Sequence, residues 1–112
     1  RALVQEPRVL LLDEPTSNLD LKHQLEVLEH VVDIVKEKGV SVLMAIHDLN
    51  LAAQYSDRLV FLKKGSIVMS GTPAETLLPR TIRTVYGVDA IVNHDADHPH
   101  IVPRRVVKDT QL

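Results

Sequence analysis

The sequence contains no cysteine and no tryptophan. Without thiols there are no disulfides, no thiolate metal centre and no cysteine nucleophile, a composition in keeping with a reducing compartment. Aromatic residues make up only 3% of the chain, which argues against a surface that stacks unpaired bases. An excess of positive charge is also missing. Thirteen Lys and Arg stand against 15 Asp and Glu, for a formal net charge of −2, a poor balance for clamping a nucleic-acid backbone. No apolar run approaches the ~20 residues that a membrane-spanning helix needs. The chain opens Arg1-Ala2-Leu3, with neither Met nor a basic-then-apolar leader, and reads as a piece of something longer.

What is present suits one small globular domain: 112 residues, 45% hydrophobic and 25% charged. The run Arg8-Val9-Leu10-Leu11-Leu12 is apolar on both faces and stops at Asp13-Glu14-Pro15, as in a strand buried inside a parallel sheet. From Leu21 to Lys38 the period changes. Leu21, Leu25, Leu28, Val32 and Val35 recur at helical spacing, Asp20 can cap the start, Lys36 and Lys38 complement the negative end, and Gly39 offers a left-handed stop. Val40 to Ile46 then reads as a second buried strand, completing a β-α-β unit.

Further along, Asp48 is positioned to cap a short helix through Leu49, Ala52 and Ala53. Leu59–Leu62 and Ile67–Met69 read as two strands around a tight turn at Lys63-Lys64-Gly65-Ser66. Thr72-Pro73-Ala74-Glu75 spells a capping box that starts a helix. Another short helix is predicted around Thr81–Tyr86, ending at Gly87, followed by one or two strands between Val88 and Val107.

The chemistry concentrates where four apolar residues deliver two adjacent carboxylates to a strand's carboxyl end, the edge where open α/β sheets bind ligands. A strand-terminal Asp13 suits Mg²⁺, a hard ion that prefers oxygen and keeps much of its water. Glu14, pointing differently, is free to polarise an attacking water. An isolated Asp-Glu pair is as often an inert acidic turn. His47, however, ends the next buried strand, and parallel neighbours in a β-α-β unit place their carboxyl ends side by side. An imidazole and two carboxylates on one rim form a more specific constellation than either alone.

The text Leu10-Leu11-Leu12-Asp13-Glu14-Pro15-Thr16-Ser17-Asn18-Leu19-Asp20, followed by Ile46-His47-Asp48, closely resembles the second half of the ATP-binding subunit of ABC transporters. Arg1 to Pro7 resembles the tail of the helix after that family's signature motif. The resemblance covers residues 1–92, leaving 93–112 as a variable C-terminal tail. Leu19 to Leu28, His47 to Ala53 and Val85-Tyr86-Gly87-Val88 are most similar to importers of iron–siderophore, haem and cobalamin, although relatives carrying molybdate or other metals share much of this wording.

The resemblance implies an α/β fold of the P-loop NTPase kind: a partial parallel sheet flanked by helices and lacking the phosphate-loop strand. It implies ATP and Mg²⁺ as cofactors, with Asp13 as the Walker B aspartate supporting the metal through water and Glu14 as the general base. His47 would be the switch histidine on the γ-phosphate. Ser17, Asn18, Leu19 and Asp20 would form the D-loop that touches a second ATPase subunit; the family often has Ala where Asn18 stands. Gly65 and Gly71 would shape the late strand pair. The implied partners are that second subunit and transmembrane permease subunits, with no nucleic acid, and the implied location is cytoplasmic, peripheral on the inner face of the membrane.

No G-x-x-x-x-G-K-[ST] loop occurs in these residues to cradle phosphates, nor does a signature motif, a glutamine loop or an adenine-stacking aromatic. The chain by itself is therefore expected to bind ATP very weakly and not to hydrolyse it. The family's phosphate-loop strand would sit between the strand ending at His47 and that near Leu59–Leu62. Its removal leaves unpaired edges, so self-association, strand swapping or re-closure of the gap is expected.

A different class of reading is a soluble ABC-type ATPase acting on DNA or ribosomes, or a non-catalytic interaction fragment. The Leu21–Lys38 helix carries no long coiled-coil insertion, which disfavours the DNA-repair relatives. His94, Asp95, Asp97, His98 and His100 match no metal motif by spacing and read as a solvated loop, with zinc or nickel as the sharper alternative. Arg104-Arg105 make too small a patch for nucleic acid, and Lys22 and His23 read as exposed helix face.

Overall fold

A computed structural model describes residues 9–94 and 97–108. The segment 1–7 and the residues Arg8 and Asp95 lie outside them, and with them the expected helix tail. The chain divides after His47 into two compact units.

In the first unit, β1 (Val9–Asp13) and β2 (Ser41–Ala45) flank α1 (Leu21–Lys38). The strands pair in parallel, Val9 opposite Ser41 through Asp13 opposite Ala45. Both ends of α1 form as the sequence predicts. The Asp20 carboxylate accepts from the His23 backbone N–H at 2.9 Å, and Gly39 closes the helix at φ 62, where a side chain would be strained. Leu28 is fully buried and Val40 nearly so. The wider apolar stripe of α1 faces the sheet across a cleft of about 500 Å³ whose lining includes Leu10, Leu12, Val27, Ile34 and Val42.

One expectation is corrected. The apolar runs of β1 and β2 were read as buried on both faces, yet Leu11 is 73% exposed and Leu43 60%, with Val9 and Leu10 exposed too. Residues at alternate positions share a face, so Val9, Leu11 and Leu43 present an apolar surface on the side that α1 does not cover. Among the described residues β2 bonds to β1 within this unit. Leu21, placed on the buried stripe by its spacing, is likewise exposed.

The second unit begins with α2 (Leu49–Tyr55), capped by Asp48, whose carboxylate accepts from the backbone N–H groups of Asn50 and Leu51 at 2.9 and 3.1 Å. The antiparallel pair β3 (Leu59–Lys63) and β4 (Ser66–Gly71) follows. After it come α3 (Pro73–Thr76), α4 (Pro79–Tyr86) and the antiparallel pair β5 (Val88–Asn93) and β6 (His100–Val106). α4 starts at Pro79, earlier than the predicted Thr81, because proline is pre-set for the first helical position. Leu51, Phe61, Leu77, Ile82 and Ile101 form the buried apolar set. Asn50 ties α2 to β6: its amide oxygen accepts from the Ile101 N–H at 2.7 Å and its amide nitrogen donates to the Ile101 carbonyl at 3.1 Å. Phe61 meets Tyr86 edge to face at 6.4 Å between ring centroids. Burial pushes the Tyr86 hydroxyl pKa up. No helix among the described residues is long and apolar enough to cross a membrane.

The capping box of α3 is complete. Thr72 Oγ1 accepts from the Glu75 N–H at 3.2 Å, and Glu75 Oε1 accepts from the Thr72 N–H at 2.9 Å. Those bonds to Thr72 favour the ionised form and hold the Glu75 carboxyl below its ordinary pKa. The stabilisation is therefore full above the unfolded carboxyl's pKa and fades as pH falls through the lower folded value. Comparing urea midpoints of the wild type and Glu75→Gln should show the wild type more stable at neutral pH and the two converging in acid. Thr72→Ala should cost about 1 kcal/mol at neutral pH.

Candidate functional site

The parallel register aligns the last residues of β1 and β2, and the chain then holds Glu14 against the second strand: its N–H donates to the Ala45 carbonyl at 2.8 Å. Glu14 sits in left-handed backbone at φ 49. For a residue with a Cβ such a conformation costs about 1–2 kcal/mol, and proline immediately after it restricts the backbone further. Strain of this kind persists where surrounding bonds over-determine it, and it concentrates at functional positions.

The strained turn swings the Glu14 side chain across to the second strand's end, where Oε1 makes an ion-pair contact with His47 Nε2. His47 is 86% exposed and Glu14 34%, so the pair lies at a solvent-facing lip. Asp13, the terminal residue of β1, stands beside it with an exposed carboxylate that has no hydrogen-bond or ion-pair partner among the described residues. The carboxyl ends of two parallel strands thus present one free carboxylate and one carboxylate–imidazole pair.

The linking turn is internally bonded: the Ser17 N–H donates to the Glu14 carbonyl at 3.0 Å and the Leu19 N–H to the Thr16 carbonyl at 3.4 Å. Thr16 is buried and anchors the turn. Asn18 takes left-handed backbone at φ 64, a conformation asparagine tolerates. Ser17, Asn18 and Leu19 are exposed. Asp20 is differently engaged: besides capping α1, its Oδ1 lies 2.6 Å from His23 Nδ1. The sequence places His23 on the exposed helix face, and the structure adds its tie to Asp20. The spacing Asp-x-x-His at a helix start was the available signal.

The candidate oxygen donors fit Mg²⁺. Among the described residues no three His, Asp or Glu side chains gather to cage a metal, and one strand-end carboxylate with open solvent around it matches an ion that keeps several waters and takes other ligands from phosphates. His94, Asp97, His98 and His100 form no such cluster among the described residues, and Asp95 lies outside them. His98 Nδ1 is 3.3 Å from the carbonyl of Pro99, a local contact.

The carboxyl rim of this strand–helix–strand unit carries the Asp13 carboxylate and the Glu14–His47 contact side by side. No protein-family model matches the chain. Among solved structures, it superposes on a metal-chelate type ABC transporter in an inward-facing conformation with a TM-score of 0.76 over 94% of this chain and 42% of that one, at 24% identity, which speaks for the fold. It also matches cbiO1 of Clostridium perfringens, part of the ABC transporter complex cbiONQ, at TM-score 0.57 and 32% identity over 71% of this chain and 34% of that one.

Sequence relatives are closer. An uncharacterised ABC transporter ATP-binding protein of Methanocaldococcus jannaschii is 50% identical over 92% of this chain and 40% of its own length. The hemin import ATP-binding protein of Bordetella avium is 53% identical over 78% of this chain and 33% of its own. The iron(3+)-hydroxamate import ATP-binding protein of Bacillus subtilis is 46% identical over 84% and 35%. The chain belongs to the family of ABC transporter ATP-binding proteins, of whose members it spans well under half the length.

The Glu14–His47 pair is solvent-facing, and such pairs contribute about 0–1 kcal/mol. Glu14→Gln and His47→Gln should each shift the urea-unfolding free energy by less than about 1 kcal/mol.

Proposed function

We propose that these residues are the water-activating half of an ATP-hydrolysing subunit that drives import of iron–siderophore, haem or cobalamin. The contact between Glu14 and His47 at adjoining strand ends carries the reading. In it Glu14 is the general base that takes a proton from the attacking water. His47 reaches the terminal phosphate, and its pairing with Glu14 keeps the base oriented toward the same spot. Asp13 would hold Mg²⁺ through water, and the ion would supply neutralisation of charge on the phosphates. The names of the relatives, hemin and iron(3+)-hydroxamate import ATP-binding proteins, support the cargo class.

Residues 1–92 make up the ATPase portion and 93–112 a variable tail. Ser17, Asn18, Leu19 and Asp20 form the surface that meets a second ATPase subunit. Their support is the exposure of Ser17, Asn18 and Leu19 on a turn directly joined to Glu14, so that contact there reports on the base. Permease subunits complete the assembly, which holds the ATPase at the cytoplasmic face of the membrane. The exposed apolar face of Val9, Leu11 and Leu43 supports self-association of the isolated chain.

Positioning and charge neutralisation account for most of phosphoryl-transfer catalysis, and the sequence has no glycine-rich phosphate loop. The 112-residue chain alone is therefore inactive. Phosphate release should be undetectable from it, and any turnover that Glu14→Gln removes would refute this. In the same residues carried within a subunit that has a phosphate loop, Glu14→Gln should lower kcat by about 10²–10⁴ while ATP binding persists. An unchanged kcat would end the assignment of Glu14 as base.

A further inference from the structure

Four arginines converge in the second unit, far apart in sequence. Arg80 and Arg83 lie one turn apart on α4, while Arg104 and Arg105 are consecutive on β6; all four line one cavity of about 590 Å³ with Pro79 and Asp89. Consecutive strand residues ordinarily point to opposite faces. Here the β5–β6 register shifts between Asp89, opposite Arg105, and Ala90, opposite Pro103, which leaves Arg104 as the extra residue of a bulge. A bulge re-aims side chains, and this one brings both arginines to the same hollow.

The charge there is strongly one-sided. Asp89 is the lone carboxylate lining the cavity and is engaged by Arg83, Nη1 to Oδ1 at 3.3 Å. Among the described residues Arg80, Arg104 and Arg105 have no ion-pair partner. The amino end of α4, where no side chain caps the helix, opens at Pro79 on the same cavity and adds its positive dipole end. Like charges gathered without counter-charge repel one another, and an anion relieves that cost. Guanidinium forks match the paired oxygens of phosphate, and the volume lies within the range of about 300–1,000 Å³ typical of small-ligand sites.

We propose that this cavity binds a small anion carrying more than one phosphate charge, a diphosphate or phosphate ester, at a site separate in sequence from Asp13, Glu14 and His47. Arg80, Arg104 and Arg105 hold the phosphate oxygens, and the Arg83–Asp89 pair fixes the wall. The same phosphate chemistry can come free in solution or on a lipid headgroup.

The test titrates inorganic pyrophosphate into the 112-residue chain by calorimetry and, in parallel, measures flotation with phosphatidic acid vesicles, whose headgroup is a phosphate monoester, against phosphatidylcholine vesicles. Saturable pyrophosphate binding, weakened about tenfold or more in the Arg104→Gln/Arg105→Gln variant, establishes the site with a soluble ligand. Binding only to phosphatidic acid vesicles, lost in the same variant, establishes it with a headgroup. A Lys36→Gln/Lys38→Gln variant removes equal charge elsewhere and should bind as wild type. Matching circular dichroism and thermal midpoints exclude unfolding of the exposed-arginine variant, and Arg80→Gln offers an independent substitution. Absence of binding in both arms, equal weakening by the lysine variant, or equal competition by chloride overturns the proposal.

Discussion

The parallel pairing of β1 with β2 is the constraint on which the candidate site depends. Because Asp13 lies opposite Ala45, the residues just past each strand emerge side by side, and the Glu14 N–H extends the ladder by one more bond. A one-residue slip would move every side chain of β1 to the other face. It would also carry Glu14 away from His47. The ion pair itself contributes little energy at so exposed a place; the register, anchored by five residue pairs, positions it. Stability and chemistry are thus separated: backbone bonds and the buried Leu28 and Thr16 hold the frame, while the charged groups stand in solvent.

The strained backbone at Glu14 belongs to the same division. Glycine at that turn would relieve the left-handed cost, and the chain instead keeps a carboxylate there at φ 49. Asn18, equally left-handed, is a residue that tolerates the conformation, and Lys64 in the β3–β4 turn, at φ 51, shares the cost that Glu14 carries.

What could be read from the residues alone were the features encoded locally. Asp20 and Gly39 bound α1, Thr72 and Glu75 build the cap of α3, and an apolar run ending in Asp-Glu marks a strand end, all within a few positions of one another. The meeting of Glu14 and His47 was also legible, since strand–helix–strand topology dictates which ends adjoin. Properties set by distant chain were not. Whether Leu11 and Leu43 are covered depends on what packs over them, and their pattern only states that something should. The Arg104 bulge depends on the partner strand's register, so Arg104-Arg105 looked like a minor surface patch until α4 brought Arg80 and Arg83 beside them.

The uncovered face of the first unit has an energetic consequence for the site. Exposing a leucine or valine fully rather than burying it forfeits about 1.5–3 kcal/mol, and Val9, Leu11 and Leu43 on that face stand 57%, 73% and 60% exposed. Scaled to that partial exposure, their combined loss is about 3–6 kcal/mol, a sizeable share of a typical domain's stability of about 5–15 kcal/mol. The strands that deliver Asp13, Glu14 and His47 are therefore held below the stability that their composition could support. Covering that face would stiffen the ladder from which both strand ends emerge. The strand ends that carry Asp13, Glu14 and His47 and the exposed apolar face share one β1–β2 register, so whatever steadies the ladder steadies both.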